Sequence, residues 1–358
     1  MVHSVLKPFI DVLELWDMLR AGSAVVLDVR RFDDYVRGHI PGSSWLYFWD
    51  LTLYERGLPS TPKPRSEVAS VFGRAGVGDE DFVVIVYDKR SLLYATYTAW
   101  FLEYVGHQRY SLLRGGFEAW VSAGLPIERG VLKVKPKSFT VKGFPQARAT
   151  IDDVLEVVRG KADHLLLDVR TKAEHTGDIA TAGKAGRIPK STLLEPELLL
   201  KVLEGDLEAT ERVKTLIGDL SSRNAILYCT SGERASMAWF ALSKLLGLPN
   251  IKLFPEGFLE YSKRNLPVEV GDLEASSSRG VKVVKIDRNA LCEQGLANPM
   301  RYVLESVSKL EKGGKLILEL NDADWILALK KVAGERGFKV EDLGSVENGF
   351  TRILIERP

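Results

Sequence analysis

The chain has 358 residues, a hydrophobic content of 45% and a formal net charge of +1. This length predicts two or three domains, and the near-neutral charge gives no indication of nucleic acid or an acidic membrane surface as a partner. Two cysteines, Cys229 and Cys292, are too few for a disulfide framework and suit a reducing compartment. Because the first residues lack a signal-peptide pattern and no apolar run is long enough for a membrane span, we expect a cytoplasmic protein.

Strands and helices alternate along the first 130 residues. Apolar residues at helical spacing predict helices, and short apolar runs predict strands. The predicted helices cover 11–20 and 94–104 and begin again at 115, and the predicted strands cover 24–27, 82–87 and 111–113. This alternation predicts a parallel sheet with helices on both faces.

The same pattern returns further along the chain. Asp168 lies 140 residues after Asp28, and each begins an Asp-Val-Arg segment. Gly257 lies 141 residues after Gly116, and each is followed by phenylalanine. We therefore predict two copies of one domain, a first copy over 1–130 and a second copy over 150–270, joined by a linker over 131–149.

The clearest candidate for chemistry is the segment around Cys229 in the second copy. An apolar run over 225–228 predicts a buried strand, Cys229 follows its carboxyl end, and apolar residues at helical spacing resume after Arg234. Open α/β sheets bind ligands at that edge. Loop N–H groups, the helix dipole and Arg234 all favour the thiolate over the thiol. We predict that Cys229 is a nucleophile, although a cysteine at a strand end is by itself more often structural.

A third domain is predicted after a polar, serine-rich linker over 271–280. Strands are predicted over 281–286, 315–320 and 349–355, and helices over 300–310 and 323–336. This order predicts a small two-layer α/β domain over 281–358.

Residues 1–268 resemble a tandem rhodanese of the sulfurtransferase superfamily. The resemblance rests on the Asp-Val-Arg segment near the start of each copy, followed by Gly-His-Ile-Pro at 38–41 and Gly-Arg-Ile-Pro at 186–189. It rests also on the Cys-x-x-Gly-x-Arg loop and on 114–120 with 124–126. It implies two rhodanese-like parallel-sheet domains. In that family the loop cysteine takes a sulfane sulfur from a donor, holds it as a persulfide and passes it to a nucleophilic acceptor.

The resemblance makes Cys229 the sulfur carrier. Its cradle, which would bind the substrate, comprises Thr230, Ser231, Gly232, Glu233 and Arg234, with Arg187 as a further cation. Because the loop is one residue shorter than that of the related phosphatases, it disfavours phosphatase activity. In the first copy Asp88 stands at the cysteine position, and a carboxylate cannot form a persulfide, so we expect that copy to be inactive.

The sequence does not decide whether the sulfur donor is thiosulfate, 3-mercaptopyruvate or a protein persulfide. The expected sulfur acceptor is a thiol or cyanide. Glu233 would oppose a dianionic donor, which Arg234 and Arg187 would offset. The five histidines lack metal-ligand spacing, and we expect neither a metal nor another cofactor. The aromatic run over 45–50 is interpreted mainly as core packing, with the lining of a cleft as the alternative.

Residues 281–358 resemble a TusA-like sulfur-carrier domain through the segments 295–300 and 313–318. Asn298 stands where that family has its cysteine, so the usual carrier thiol is missing. Cys292, six residues earlier, is a candidate secondary sulfur acceptor, and the alternative is that the domain only docks partners. Two hypotheses follow: a sulfurtransferase using small donors, or a relay or scaffold that takes sulfur from a desulfurase and passes it to protein partners.

Overall fold

The structure is a computed structural model that describes residues 7–55, 58–143, 147–218, 224–271, 282–286, 307, 310, 312–345 and 350–358. The chain divides into two compact units. The first compact unit comprises residues 1–169 and 190–265, and the second comprises residues 170–189 and 266–358. Among the described residues no helix is both long and apolar enough to cross a membrane.

The first copy is built on a parallel sheet with strand order β1-β7-β6-β2-β3. Its strands are β1 (Phe9–Ile10), β2 (Val25–Asp28), β3 (Ser44–Trp45), β6 (Val83–Val86) and β7 (Tyr110–Leu113), with a separate hairpin of β4 (Thr52–Glu55) and β5 (Leu58–Pro62). Its helices are α1 (Val12–Arg20), α2 (Phe32–Arg37), α3 (Arg65–Arg74), α4 (Leu92–Val105) and α5 (Gly116–Ser122), with a 3₁₀ helix at Phe48–Leu51.

The second copy repeats this design with strand order β11-β10-β8-β9, again all parallel. Its strands are β8 (Leu165–Asp168), β9 (Ser191–Leu193), β10 (Ala225–Tyr228) and β11 (Ile251–Leu253). Its helices are α6 (Ile151–Val158), α7 (Lys172–Thr176), α8 (Pro196–Glu204), α9 (Leu207–Ile217), α10 (Glu233–Trp239) and α11 (Gly257–Lys263), with a π-helical turn at Phe240–Leu245. The predicted parallel sheets are confirmed in both copies.

The central strands β6 and β10 explain why these short apolar runs become strands. Every residue of both strands is buried. A strand with neighbours on both sides and helices on both faces has no solvent-facing side, so it has a continuous apolar sequence rather than an alternating one. Residue 88 follows β6 and residue 229 follows β10, which places the two corresponding positions at the carboxyl edges of their sheets.

One apolar core joins the two sheets within the first compact unit. Helix α4 of the first copy is largely buried, and its Trp100 belongs to the same cluster as Trp239 of α10. The hydroxyl groups of Thr96 and Ser236 lie 3.1 Å apart where these two helices pack together. Burial of these large side chains therefore holds α4 against the helix that follows Cys229.

The predicted linker over 131–149 has no helix or regular strand among its described residues, yet it is held along its length. The Lys137 N–H donates to the carbonyl of Gly73 at 2.9 Å. Further on, the Leu253 N–H donates to the carbonyl of Ala147 at 2.8 Å, so the linker ends against β11. Backbone hydrogen bonds thus fix this segment at Lys137, within its first half, and at Ala147, near its end.

The C-terminal residues form a mixed sheet with strand order β12-β13-β15-β14. Its elements are β12 (Lys282–Ile286), β13 (Lys315–Leu320), α12 (Ala323–Glu335), β14 (Lys339–Ser345) and β15 (Thr351–Glu356). Strands β12 and β13 are parallel, whereas β15 is antiparallel to both β13 and β14. The residue pattern predicts the other elements but not β14. Most of the helix predicted over 300–310, the segment 295–300 and Cys292 lie outside the described residues.

The second compact unit also contains residues 170–189 of the second copy. Ile179 is buried there in one apolar cluster with Ile286, Leu318 and Leu329. Its neighbours are therefore side chains of the C-terminal sheet and of α12.

Candidate active site

Cys229 lies at the carboxyl end of β10, between the ends of β8 and β11. Its side chain is 1% exposed. The Gly232 N–H donates to the Cys229 Sγ, with 3.1 Å between nitrogen and sulfur. Gly232 has a φ of +95°, a conformation that favours glycine, and it lets the loop turn back so that its amide faces the thiol.

The predicted cradle residues lie together in this loop and bind one another. The buried Arg234 guanidinium donates from Nη2 to the Thr230 Oγ1 at 2.9 Å. The Ser231 hydroxyl donates to a Glu233 carboxyl oxygen at 3.4 Å. The loop that carries Cys229 therefore contains a buried positive charge.

Glu233 is a partly buried acid inside this loop. Burial raises the pKa of Glu233 from 4.5 to about 7, against the opposing effects of the Arg234 charge and the Ser231 hydrogen bond. At neutral pH the neutral carboxyl group is therefore much more populated than it is in an exposed glutamate. A neutral Glu233 removes much of the repulsion expected between this side chain and an anionic donor.

The start of α11 fixes the loop from the other side. The Phe258 N–H donates to the carbonyl of Cys229 at 2.8 Å. Gly257 has a φ of +57°, and a β-carbon there would lie 2.5 Å from the Cys229 carbonyl oxygen. Gly116 of the first copy shows the same close approach, since its β-carbon would lie 2.3 Å from the Tyr87 carbonyl oxygen. The repeated Gly-Phe pairs therefore mark the point where helix and loop touch.

Tyr97 brings a side chain of the first copy to the Cys229 loop. A β-carbon on Gly232 would lie 2.4 Å from the Tyr97 hydroxyl oxygen. Burial raises the pKa of Tyr97 well above its usual value, and the nearby charges of Glu256, Cys229 and Glu233 add to this rise. Sequence reasoning misses Tyr97, because the contact joins two copies and has no local pattern.

Asp88, at the corresponding position of the first copy, uses its own carboxylate to bind its loop. Its Oδ1 accepts hydrogen bonds from the N–H groups of Arg90 and Ser91, each at 2.9 Å, and from the Ser91 hydroxyl at 2.8 Å. The Arg90 guanidinium donates to Oδ2 at 3.0 Å. The loop donors are thus occupied by a side chain, which gives a physical reason for the predicted inactivity of this copy.

Arg187, the further cation in the predicted set, lies in the second compact unit. It is 3% exposed, its Nη1 donates to the Gly271 carbonyl at 2.7 Å, and its Nε lies 3.4 Å from a Glu269 carboxyl oxygen. The backbones of Arg187 and Glu269 also form an isolated antiparallel bridge, and those of His39 and Glu128 form the corresponding bridge in the first copy. These partners give Arg187 a structural role at the turn, and a role toward the donor stays a prediction.

Comparison with known proteins supports the interpretation of the fold. The rhodanese-like domain matches residues 11–123 and again residues 150–264. The sulfur carrier protein TtuD of Thermus thermophilus is 30% identical over 259 residues, which cover 66% of this chain and 87% of that protein. The thiosulfate sulfurtransferase of Azotobacter vinelandii is 26% identical over 271 residues, which cover 73% of this chain and 96% of that enzyme.

Solved structures share the fold. YnjE superposes with a TM-score of 0.63 at 21% identity, over 74% of this chain and 68% of its own. Wild-type EanB superposes with a TM-score of 0.62 at 21% identity, over 75% of this chain and 71% of its own. With the domain matched in both copies and relatives named thiosulfate sulfurtransferase, the chain belongs to the rhodanese-like family and is a tandem-domain sulfurtransferase.

Proposed function

We propose that this sulfurtransferase carries a sulfane sulfur as a persulfide on Cys229. The observation that carries the proposal is the Gly232 N–H directed at the Cys229 Sγ, in a loop that also holds the Arg234 guanidinium. Such donors stabilise a thiolate before the reaction and a charged outer sulfur after it. Thr230, Ser231 and Glu233 complete the cradle.

The first half-reaction is sulfur transfer from the donor. The Cys229 thiolate attacks the sulfane sulfur of thiosulfate, the S–S bond of the donor breaks, and its electron pair leaves with sulfite. With 3-mercaptopyruvate the C–S bond breaks instead and its electron pair leaves with the carbon as the enolate of pyruvate. The proton of the donor thiol then moves to that carbon and gives pyruvate. The name of the Azotobacter vinelandii relative favours thiosulfate.

The second half-reaction regenerates the thiolate. Cyanide attacks the outer sulfur, the bond between that sulfur and Cys229 breaks, and thiocyanate leaves while the electron pair stays on Cys229. A thiol acceptor reacts in the same way and leaves as a persulfide. Neither half-reaction needs an external oxidant or reductant. Thiosulfate already carries a sulfane sulfur, and with 3-mercaptopyruvate the carbon that loses the sulfur takes up the electron pair and is reduced.

Intact mass spectrometry after incubation with thiosulfate, and separately with 3-mercaptopyruvate, tests this proposal. We expect one extra sulfur atom, located on Cys229 by peptide mapping and lost on addition of cyanide. Cys229→Ser is expected to gain no sulfur, whereas Cys292→Ser, the matched control, still gains it. Wild-type protein that takes no sulfur from either donor would refute small-molecule transfer.

A sulfur relay is the second candidate, and one relative supports it by being named a sulfur carrier protein. In this version Cys229 receives sulfur from a desulfurase, and the TusA-like domain proposed for residues 281–358 recruits or supplies the next acceptor. Labelled sulfur that reaches Cys292 only when Cys229 is present would support a relay within the chain. Sulfur confined to Cys229 would limit the C-terminal domain to docking.

A further inference from the structure

An open cavity lies at the carboxyl ends of β2 and β3 in the first copy. Its volume is about 390 Å³, within the range of small-molecule sites. Aromatic side chains form much of its wall, namely Trp45, Tyr47, Phe48, Trp49 and Tyr94. We call this the aromatic cavity. Core packing accounts for only part of the aromatic run, because Phe48 is buried whereas Tyr47 is 48% exposed.

The wall of the aromatic cavity is connected to the Cys229 loop through Tyr97, and its rings extend on the other side to Tyr54. The ring of Phe48 lies 5.4 Å from that of Tyr97, whose hydroxyl adjoins Gly232. The ring of Trp49 lies 4.8 Å from that of Tyr54. The cavity and the nucleophile therefore belong to one region of the first compact unit.

The charges at the aromatic cavity do not select an ion of either sign. Arg31 and Asp33 are both exposed at its lining and have opposite charges. The deeper Arg30 is paired with Asp28, with 2.6 Å between Nη2 and Oδ2. A small inorganic anion gains nothing from aromatic walls, whereas an aromatic ring gains stacking and edge-to-face contacts.

We propose that the aromatic cavity binds an uncharged aromatic thiol as the acceptor of the Cys229 sulfur, an inference that rests on the proposed function. The thiol loses its proton to water, and its sulfur attacks the outer sulfur of the Cys229 persulfide. The bond between that outer sulfur and Cys229 breaks, and the electron pair stays on Cys229. The acceptor leaves as an aromatic persulfide, with the proton on the outer sulfur.

The test compares phenylmethanethiol with cyclohexylmethanethiol as acceptors, with thiosulfate as donor. Both thiols have a six-membered ring of similar size, but only one ring is aromatic. We expect wild-type kcat/KM to favour phenylmethanethiol, and Tyr47→Leu and Trp49→Leu each to reduce this preference about three- to tenfold. Tyr47 is exposed, so its replacement leaves the core intact. Trp325→Leu, a matched replacement on α12, keeps the preference.

Because the preference is a ratio measured on one protein sample, a general loss of activity or of folded protein cancels. If the persulfide forms but the aromatic thiol is not preferred, or if the preference survives both replacements, the acceptor site is refuted while the proposed function stands. If wild-type protein forms no persulfide on Cys229, the proposed function fails and the acceptor role fails with it.

Discussion

Replacing Glu233 by glutamine tests whether a buried acid in the Cys229 loop makes the stability of the protein depend on pH. Burial raises the pKa of Glu233 from 4.5 to about 7. Between these two values the folded protein binds more protons than the unfolded chain, so the contribution of Glu233 to the free energy of unfolding falls as pH rises. It is complete below pH 4.5 and lost above about pH 7. Glutamine has the same shape but does not titrate, so this contribution disappears in Glu233→Gln.

The size of the effect follows from the pKa difference. One pKa unit corresponds to about 1.4 kcal/mol, so the rise from 4.5 to about 7 sets an upper bound of about 3.5 kcal/mol. Glu233 is only partly buried, and solvent screening reduces this bound. We therefore expect Glu233→Gln to be stabilised relative to wild type by about 1–2 kcal/mol more at pH 8 than at pH 5.

Urea unfolding at both pH values measures this difference. Glu208→Gln is the control, since Glu208 is exposed on α9. The control is expected to follow wild type at both pH values. Equal pH dependence in Glu233→Gln and wild type would refute the reasoning. In the same variant the KM for thiosulfate at pH 8 is expected to fall, because a negative charge beside the donor has been removed.

Two further predictions concern the loops themselves. Gly257→Ala is expected to lower the free energy of unfolding by about 1–3 kcal/mol more than Gly247→Ala. Both glycines have a positive φ, so the backbone strain is similar in the two variants. Only at Gly257 would the added β-carbon collide with the Cys229 carbonyl oxygen, because Gly247 faces open space. Chemical unfolding of the two variants measures the difference, and equal losses would contradict the contact. Asp88→Ala is expected to lower the free energy of unfolding by about 1–3 kcal/mol, because the Arg90 and Ser91 N–H groups and the Ser91 hydroxyl lose their acceptor. Thermal unfolding measures this loss. An unchanged midpoint temperature would show that the Asp88 carboxylate does not stabilise its loop.

The strand, loop and helix around Cys229 were predictable because each depends on a local pattern. The apolar run over 225–228 has no polar position, and the strand it forms is buried throughout. Two missed helices also had local signals. Thr150 with Asp153, and Thr171 with Glu174, form capping boxes at the starts of α6 and α7, and this Thr-x-x-acid spacing is visible in a sequence.

Other features could not be predicted from local patterns. Strand β14 exposes most of its side chains and is defined by its backbone pairing with β15, so it lacks the alternation that identifies a strand. The contact between Tyr97 and Gly232 depends on how α4 packs against α10. The contacts of Arg187 with the Gly271 carbonyl and the Glu269 carboxylate also have no local sequence pattern, and its role toward the donor stays a prediction.

The position of Ile179 has a consequence for how this chain is synthesised and cut. Residues 170–189 lie between β8 and β9 in sequence, but Ile179 is buried among Ile286, Leu318 and Leu329. During synthesis Ile179 stays exposed until residues 281–358 have left the ribosome, because the side chains that cover it belong to that segment. A chain truncated after residue 270 would expose the Ile179 side chain to water. The end of the family match at residue 264 is therefore not a domain boundary at which the chain can be truncated without exposing this apolar side chain.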